Sequence, residues 1–389
     1  MKSLSNISHK LLGQPMFKTL SKVLELERAG RNILHFELGD PDFDTPANIT
    51  DAACKSLLNG ETHYTNSMGL YDFRQAVCET TLKSRGYKPS LEQVLVSPGA
   101  NSIIYLTILC TVNPGDEVII PDPGFPTYIS SVKACNAVPV KVPIREEDNF
   151  CINPDEIEKL ITDKTRLLII NSPSNPTGAV TGKEDLMRIY DIAEKHDIFL
   201  LSDEVYARMI YGDVQFASPS FKDQCKSRTI ILNGFSKAFA MTGWRLGVAI
   251  GPEELIKKMG LLVETIVSCV PPFIQRAGIE AITGDQAPIK AMCDEYKQRR
   301  DILVRGLNTV KGINCLSPDG AIYVFPNIKG TGLSSDAFCE YVLDKASIAL
   351  LPGNNFGALG EGYVRMCYAS GIEHIEEAIK RLKGLFGEK

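Results

Sequence analysis

The chain has 389 residues, 44% hydrophobic and 23% charged, with a formal net charge of −5 at pH 7. That is ordinary globular composition with material for a large core, and the length suggests two or three domains. No basic stripe points to nucleic acid or anionic membrane as main partner, no apolar run nears the roughly 18 residues of a membrane span, and Met1-Lys2-Ser3-Leu4 opens no apolar signal core.

Residues 3–29 read as one or two amphipathic helices, broken at Gly13-Gln14-Pro15. A short strand over 33–38 ends at Gly39-Asp40, where glycine could bring backbone close to a ligand or merely make the turn. Helices follow at 46–58, with Pro46 near the first turn, and from Leu70 to about Arg85, either side of the polar loop His63-Tyr64-Thr65-Asn66. From Gln93 short apolar runs alternate with helices. Strands are expected at 94–96, 118–120, 137–142, 167–170, 198–201, 230–232 and 246–250. Helices are expected at 102–111, from 126 to Cys135, at 154–161 capped by Asn153, and at 183–196. Fully apolar strands alternating with helices imply a mostly parallel sheet covered on both faces, and ligands in such sheets lie beyond the carboxyl ends of the strands. The Gly/Pro-rich and polar segments 97–101, 121–125, 171–178 and 202–204 all fall at those ends. Beyond them, 254–282 is helical with a break at Pro271-Pro272, and 292–307 forms a long charged helix. Strands at 321–325, 348–351 and 364–368 and helices at 335–345 and 374–386 then suggest a smaller α+β unit.

Eleven cysteines are scattered without C-x-x-C spacing, many in apolar runs, so they read as small buried hydrophobes in a reducing compartment, by default the cytosol. Nothing in the pattern asks for a metal.

The chemistry concentrates in NGFSKAFAMTGWRLG, residues 233–247. A hydroxyl (Ser236), an amine (Lys237) and a guanidinium (Arg245) in one apolar setting suit a phosphorylated carbonyl compound, the amine forming a Schiff base while the others hold phosphate. Pyridoxal 5′-phosphate is the common cofactor with both groups. Its pyridine nitrogen must stay protonated, which Asp203 at a strand end could ensure. Tyr206 and Asn175 could bind its 3-oxygen. Each also has a structural reading: Asp203 as a helix cap, Tyr206 as a core aromatic, Asn175 as a turn residue.

GDPDFDTP (39–46), HYTNSMGL (63–70), SPGAN (97–101), PDPGFPTY (121–128), SPSNPTG (172–178), SDEVY (202–206), SKAFAMTGWRLG (236–247), PDGAIYVFP (318–326) and LLPGNNFG (350–357) follow one another along the chain. In that order they resemble the fold-type I enzymes dependent on pyridoxal 5′-phosphate, specifically the class I/II aminotransferases of the aspartate aminotransferase-like group. The resemblance implies an α/β large domain over 48–283 with a seven-stranded, mostly parallel sheet, and a small domain formed by 1–47 and 284–389. It implies transfer of an α-amino group between an amino acid and a 2-oxo acid by a ping-pong aldimine/ketimine mechanism. Lys237 would carry the Schiff base and shuttle the Cα proton, with Asp203 and Tyr206 as its catalytic partners. Phe125 would stack on the cofactor. Ser236, Arg245 and the backbone of Gly99-Ala100-Asn101 would take the phosphate at a helix N-terminus. Tyr64 would reach the phosphate of a neighbouring subunit, so that the working unit is a homodimer. Gly39, Asn175 and Arg365 would meet the substrate, Arg365 clamping its α-carboxylate. The Asp122-Pro123 and Asn175-Pro176 peptide bonds would be cis.

Three other readings compete. A C–S β-lyase or cyclopropane-forming synthase shares the lysine and the electron sink. A non-enzymatic regulator would need a helix-turn-helix extension, and none is visible. A nicotinamide-dependent dehydrogenase would need G-x-G-x-x-G after a strand. Asn101 stands where some aspartate-specific relatives have lysine, which suggests a neutral amino donor; Phe17, Ile322 and Tyr323 are candidate pocket walls.

Overall fold

The computed structural model describes residues 2–389; Met1, first residue of the opening segment, lies outside them. Seven strands form one sheet in the order Val94–Ser97, Gly247–Ile250, Thr229–Gly234, Phe199–Asp203, Thr165–Asn171, Glu117–Asp122, Val138–Pro143. Only Gly247–Ile250 runs against its neighbours; the other pairings are parallel. Successive residues of a strand serve opposite faces. Leu167 and Ile169 join the layer beneath helix Ala100–Thr111, whereas Leu168 and Ile170 pack with Leu186 and Ile189 of helix Lys183–Lys195. Because both faces are covered, these strands are apolar throughout. The edge strand Val138–Pro143, exposed at Val138, departs from that pattern.

The remaining strands are short. Tyr323–Val324 and Leu351–Pro352 flank Val364–Cys367 in an antiparallel sheet, and Leu34–His35 pairs in parallel with Ile348–Ala349. Thus the run 348–351, expected as one strand, changes partners at Leu350. Of the strand expected over 33–38, only Leu34–His35 pair in register, held by bonds from the Leu34 and Phe36 amides to the Ser347 and Ala349 carbonyls. Helices Ala287–Leu307, Ser335–Ala346 and Ile372–Phe386 cover this part of the chain. The first begins five residues before the expected Met292, with Pro288 in its first turn, where a missing N–H costs nothing. Helix Ala47–Leu58 starts just after Pro46, which flanks it instead of entering it. The opening segment forms a single 3₁₀ turn at Ser8–Lys10 and one α-helix, Pro15–Arg28.

Asn153 caps helix Pro154–Leu160, its Oδ1 accepting the Asp155 amide at 2.9 Å. Asp122-Pro123 and Asn175-Pro176 are both cis, as is Ser172-Pro173. All eleven cysteines are free, and no helix among the described residues is long and apolar enough to cross a membrane.

Candidate active site

A cavity of about 510 Å³ lies beyond the carboxyl ends of strands Thr165–Asn171, Phe199–Asp203 and Thr229–Gly234. Asp203 is the last residue of its strand, so the sheet itself delivers a carboxylate to the cavity floor. Tyr128 donates its hydroxyl to Asp203 Oδ2 at 2.6 Å, and the Val205 amide donates to Oδ1 at 3.2 Å. Burial nevertheless pushes the Asp203 pKa up to about 6, those two bonds only partly offsetting the loss of water. A cationic ring nitrogen beside it would restore the ionised form.

Lys237 follows the end of strand Thr229–Gly234 and lines the same cavity, its Nζ donating to the Gly39 carbonyl. Burial lowers its pKa to about 8; Cys367 and Asp40 act against that shift, and Arg365 and Arg245 add to it. An amine partly neutral near physiological pH is the form that attacks an aldehyde. Gly39 has a steric reason to be glycine, because any side chain there would overlap the Tyr323 phenol. That phenol hydrogen-bonds the Tyr206 hydroxyl at 2.8 Å. Burial raises both, Tyr323 to about 12, so neither ionises at neutral pH.

At one end, Ser236, Arg245, Ala100 and Asn101 line the cavity, with helix Ala100–Thr111 presenting its N-terminus. Gly99 precedes that helix with φ 85° and does not itself line the cavity. A Cβ at Gly99 would meet Arg245 Nη2 at 2.5 Å, so glycine here makes room for the guanidinium. The free amides, the positive end of the helix and the arginine form an anion cradle.

At the other end stands Arg365, fully buried. Its Nη1 donates to Asn175 Oδ1 at 3.1 Å and its Nη2 to the Glu37 carbonyl at 2.6 Å. The guanidinium carbon lies 4.4 Å from the Tyr323 ring centroid and 5.0 Å from that of Phe356. Its Nε has no partner, and no carboxylate pairs with it among the described residues. A buried cation without a counter-ion costs several kcal/mol, which an incoming carboxylate would offset.

Phe125 lines the cavity, edge-on to Tyr128 with centroids 5.7 Å apart. One expected wall residue lies elsewhere: Ile322 is buried in the core, while Phe17 and Tyr323 do form walls. Tyr64, expected at a neighbouring subunit's site, is 87% exposed and is not part of this chain's own cavity. Sequence reasoning also missed two contributors. PDPGFPTY gives Tyr128 no evident role; it lies in the first turn of helix Pro126–Ala134, whose extended N-cap residue is Phe125. Asn171 ends its strand as Asp203 does, donating Nδ2 to the Asp203 carbonyl at 3.1 Å and accepting the Asn175 amide at 2.8 Å. The polar run at 171–178 was the available signal.

Residues 31–382 match the family described as Aminotransferase class I and II. The chain is 44% identical to an aspartate aminotransferase of Pyrococcus horikoshii over 375 residues, 95% of each protein. It is 40% identical to aromatic-amino-acid aminotransferase 2 of Thermococcus litoralis over 373 residues, 95% of this chain and 96% of the relative. The solved structure of Thermus thermophilus aspartate aminotransferase with maleate superposes with a TM-score of 0.94 at 33% identity, covering 98% of this chain and 99% of that one. The seven-stranded sheet with these neighbours is the fold-type I architecture. The chain belongs to aminotransferase class I and II, and it is an aminotransferase.

Proposed function

We propose that the cavity binds pyridoxal 5′-phosphate and moves the α-amino group between an amino acid and a 2-oxo acid in a ping-pong sequence. The observation that carries this is the pairing, in one cavity, of a partly neutral lysine with a buried carboxylate of raised proton affinity, between two separate cationic ends. The donor set fits the cofactor. Asp203 would hold the proton on the ring nitrogen, Tyr206 and Asn175 would hold the 3-oxygen, and Phe125 would cover a ring face. Ser236, Arg245 and the backbone amides of Ala100 and Asn101 would take the phosphate, while Gly99, its own amide bonded to the Ser97 carbonyl at 2.7 Å, makes room for the Arg245 guanidinium. When bound, the group supplies an aldehyde for covalent capture of amines and a protonated ring that accepts the electron pair released at the substrate Cα.

The chain's own residues do the rest. Arg365 binds the α-carboxylate, trading an unpaired buried charge for a charge-assisted hydrogen bond. Asn175, which already accepts from Arg365 Nη1, links that end to the ring-binding end. Lys237 Nζ, once neutral, accepts the Cα proton. Its bond to the Gly39 carbonyl keeps the amine oriented in the interim.

Tyr64, exposed on this chain, supports a homodimer in which it completes the partner's phosphate site. We also read 48–283 as the large domain and 1–47 with 284–389 as the small one; the Leu34–His35 ladder to Ile348–Ala349 supports joining the two ends. Free cysteines suit the cytosol.

The relatives carry both aspartate and aromatic amino acids in their names, so the pocket must supply the preference. Met16, Phe17 and Leu38 form an apolar wall, Arg245 and Arg365 are the arginines of the lining, and Asp40 adds a carboxylate. That set favours a neutral donor side chain, with 2-oxoglutarate or pyruvate as acceptor.

The test is spectroscopic and chemical. The purified protein should absorb in the visible, and borohydride reduction should fix the cofactor's mass on the peptide containing Lys237. Mass on any other lysine would refute the assignment.

A further inference from the structure

A second cavity of about 280 Å³ lies against the same segments that build the active site. Glu204, Val205 and Ala207 flank Asp203 and Tyr206 in the chain, and Asn233 and Ala238 bracket the Lys237 turn; all five line it. Val205 lines both cavities.

Its charge balance is specific. Among its lining residues the ionisable groups are Arg85, Arg208 and Glu204, two cations and one anion. Arg85 Nη2 pairs with Glu204 Oε2 at 2.5 Å, the two side chains being 6% and 1% exposed. Glu204 Oε1 already accepts from Ser202 Oγ at 2.9 Å and Ser218 Oγ at 2.6 Å, so with Arg85 on Oε2 three of about four acceptor positions are taken. Arg85 Nη1 is buried without a partner. Arg208 stands at the mouth, held only by a 3.3 Å bond from Nη1 to Gln286 Oε1. Arg208 is solvent-exposed as a residue; loss of water around its guanidinium, then repulsion from Arg85, lowers its proton affinity. Aromatic rings back both of them, Phe216 4.8 Å from Arg85 and Phe239 5.3 Å from Arg208.

We propose that this cavity is a second ligand site, taking a small monocarboxylate with an apolar or aromatic body. One negative charge balances the surplus cation and supplies acceptors for Arg85 and Arg208. Phe216, Phe235 and Phe239 receive the apolar body. A free α-ammonium is disfavoured, because it would add a third cation beside Arg85 and Arg208 where the lining holds one carboxylate, already paired with Arg85. The ligand class is therefore a carboxylic or 2-oxo acid and not an amino acid. The proposal stands independently of the roles given to Lys237 and Asp203.

The probe is a ring-fluorinated 3-phenylpropionate, which lacks both amine and carbonyl and so cannot enter the reaction, followed by fluorine NMR on the protein as isolated. Wild type should show two bound resonances. Arg365→Lys should weaken one of them, at the active site, and leave the other. Arg208→Gln should weaken that second resonance at least tenfold, about 1.4 kcal/mol, and leave the first. Arg85→Lys, which keeps the pair with Glu204 and removes the free corner of the guanidinium, should act like Arg208→Gln. The neutral amide of the same acid should not displace the probe from the second site. The absence of any bound resonance that Arg365→Lys leaves in place, such a resonance indifferent to both Arg208→Gln and Arg85→Lys, or equal displacement by the amide would each overturn the proposal, whereas loss of the other resonance alone would count against the active-site reading.

Discussion

The two cationic ends of the active-site cavity solve anion binding differently. Arg245 is exposed, borrows a helix N-terminus, and has its guanidinium tied to the Thr242 carbonyl at 2.8 Å. Arg365 is fully buried, held by Asn175 and Glu37 and sandwiched by Tyr323 and Phe356. The first end is wet and depends on partial charges that any phosphate can use. The second is dry, so its single unpaired charge is worth more and its shape is fixed. A resident anion can be held by many modest donors, whereas an exchanging carboxylate needs one strong and oriented partner. Lys237 and Asp203 lie between these ends and should dominate any ranking of effects.

Lys237→Ala should abolish turnover, since the covalent attachment point and the Cα base are lost together. Single-turnover measurement of amino-acid consumption would detect residual chemistry; a rate near wild type would remove Lys237 from the centre of the comparison. Asp203→Asn should retain cofactor yet lower kcat about 10³-fold, the loss expected when several kcal/mol of carbanion stabilisation go. A variant within tenfold of wild type would mean that the ring nitrogen has another partner.

The electrostatics of the centre can be read directly in cofactor-free protein. The Lys237 pKa of about 8 lies below the usual 10.5, so competition labelling with acetic anhydride should show its reactivity rising to a plateau just above pH 8. Surface lysines should keep rising past pH 10. The sign for stability follows. The unfolded chain binds the extra proton between pH 8 and 10.5, so this group destabilises the fold fully below 8 and the penalty fades as pH rises through that window.

The contrast between the two ends is sharpened by paired substitutions. Arg365→Lys should lower kcat/KM roughly a hundredfold, because an ammonium cannot reproduce the planar fork. Arg245→Lys should weaken cofactor retention by less than tenfold, the helix N-terminus and Ser236 remaining. Equal losses at both ends would erase the distinction between wet and dry recognition.

The two ends also differed in how well the sequence revealed them. Ser236, Lys237 and Arg245 lie within ten residues and Asp203 follows an apolar run, so the sequence itself points to them, whereas Asn101 joins them only through the family resemblance of SPGAN. Strands of the large sheet were legible for the same reason: both faces are buried and the apolar runs are continuous. The dry end is assembled from residues 37, 175, 323, 356 and 365, contacts that only the fold creates. Glu37 read as an ordinary strand residue, and its carbonyl's bond to Arg365 has no sequence signature. The partner change at Leu350 was hidden likewise, since one apolar run serves two sheets.

The smallest expected effect concerns side-chain charge. Arg245 and Arg365 are the arginines of this chain's lining, and with the proposed phosphate and α-carboxylate roles assigned to them none is left for a second acidic group. Asn101 offers an amide, Met16, Phe17 and Leu38 offer apolar surface, and Asp40, accepting from Thr242 Oγ1 at 2.8 Å, adds negative charge near Lys237. Desolvating a second carboxylate against that wall would cost more than it returns. With one fixed 2-oxo acid acceptor, kcat/KM for aspartate should therefore not exceed those for phenylalanine, methionine, leucine and alanine. Aspartate ahead by more than tenfold, about 1.4 kcal/mol, would demand a cation that this chain's own lining does not supply. Its source would then be sought on a second copy, at the boundary where Tyr64 stands exposed, and the dry end would prove to have two carboxylate clamps instead of one.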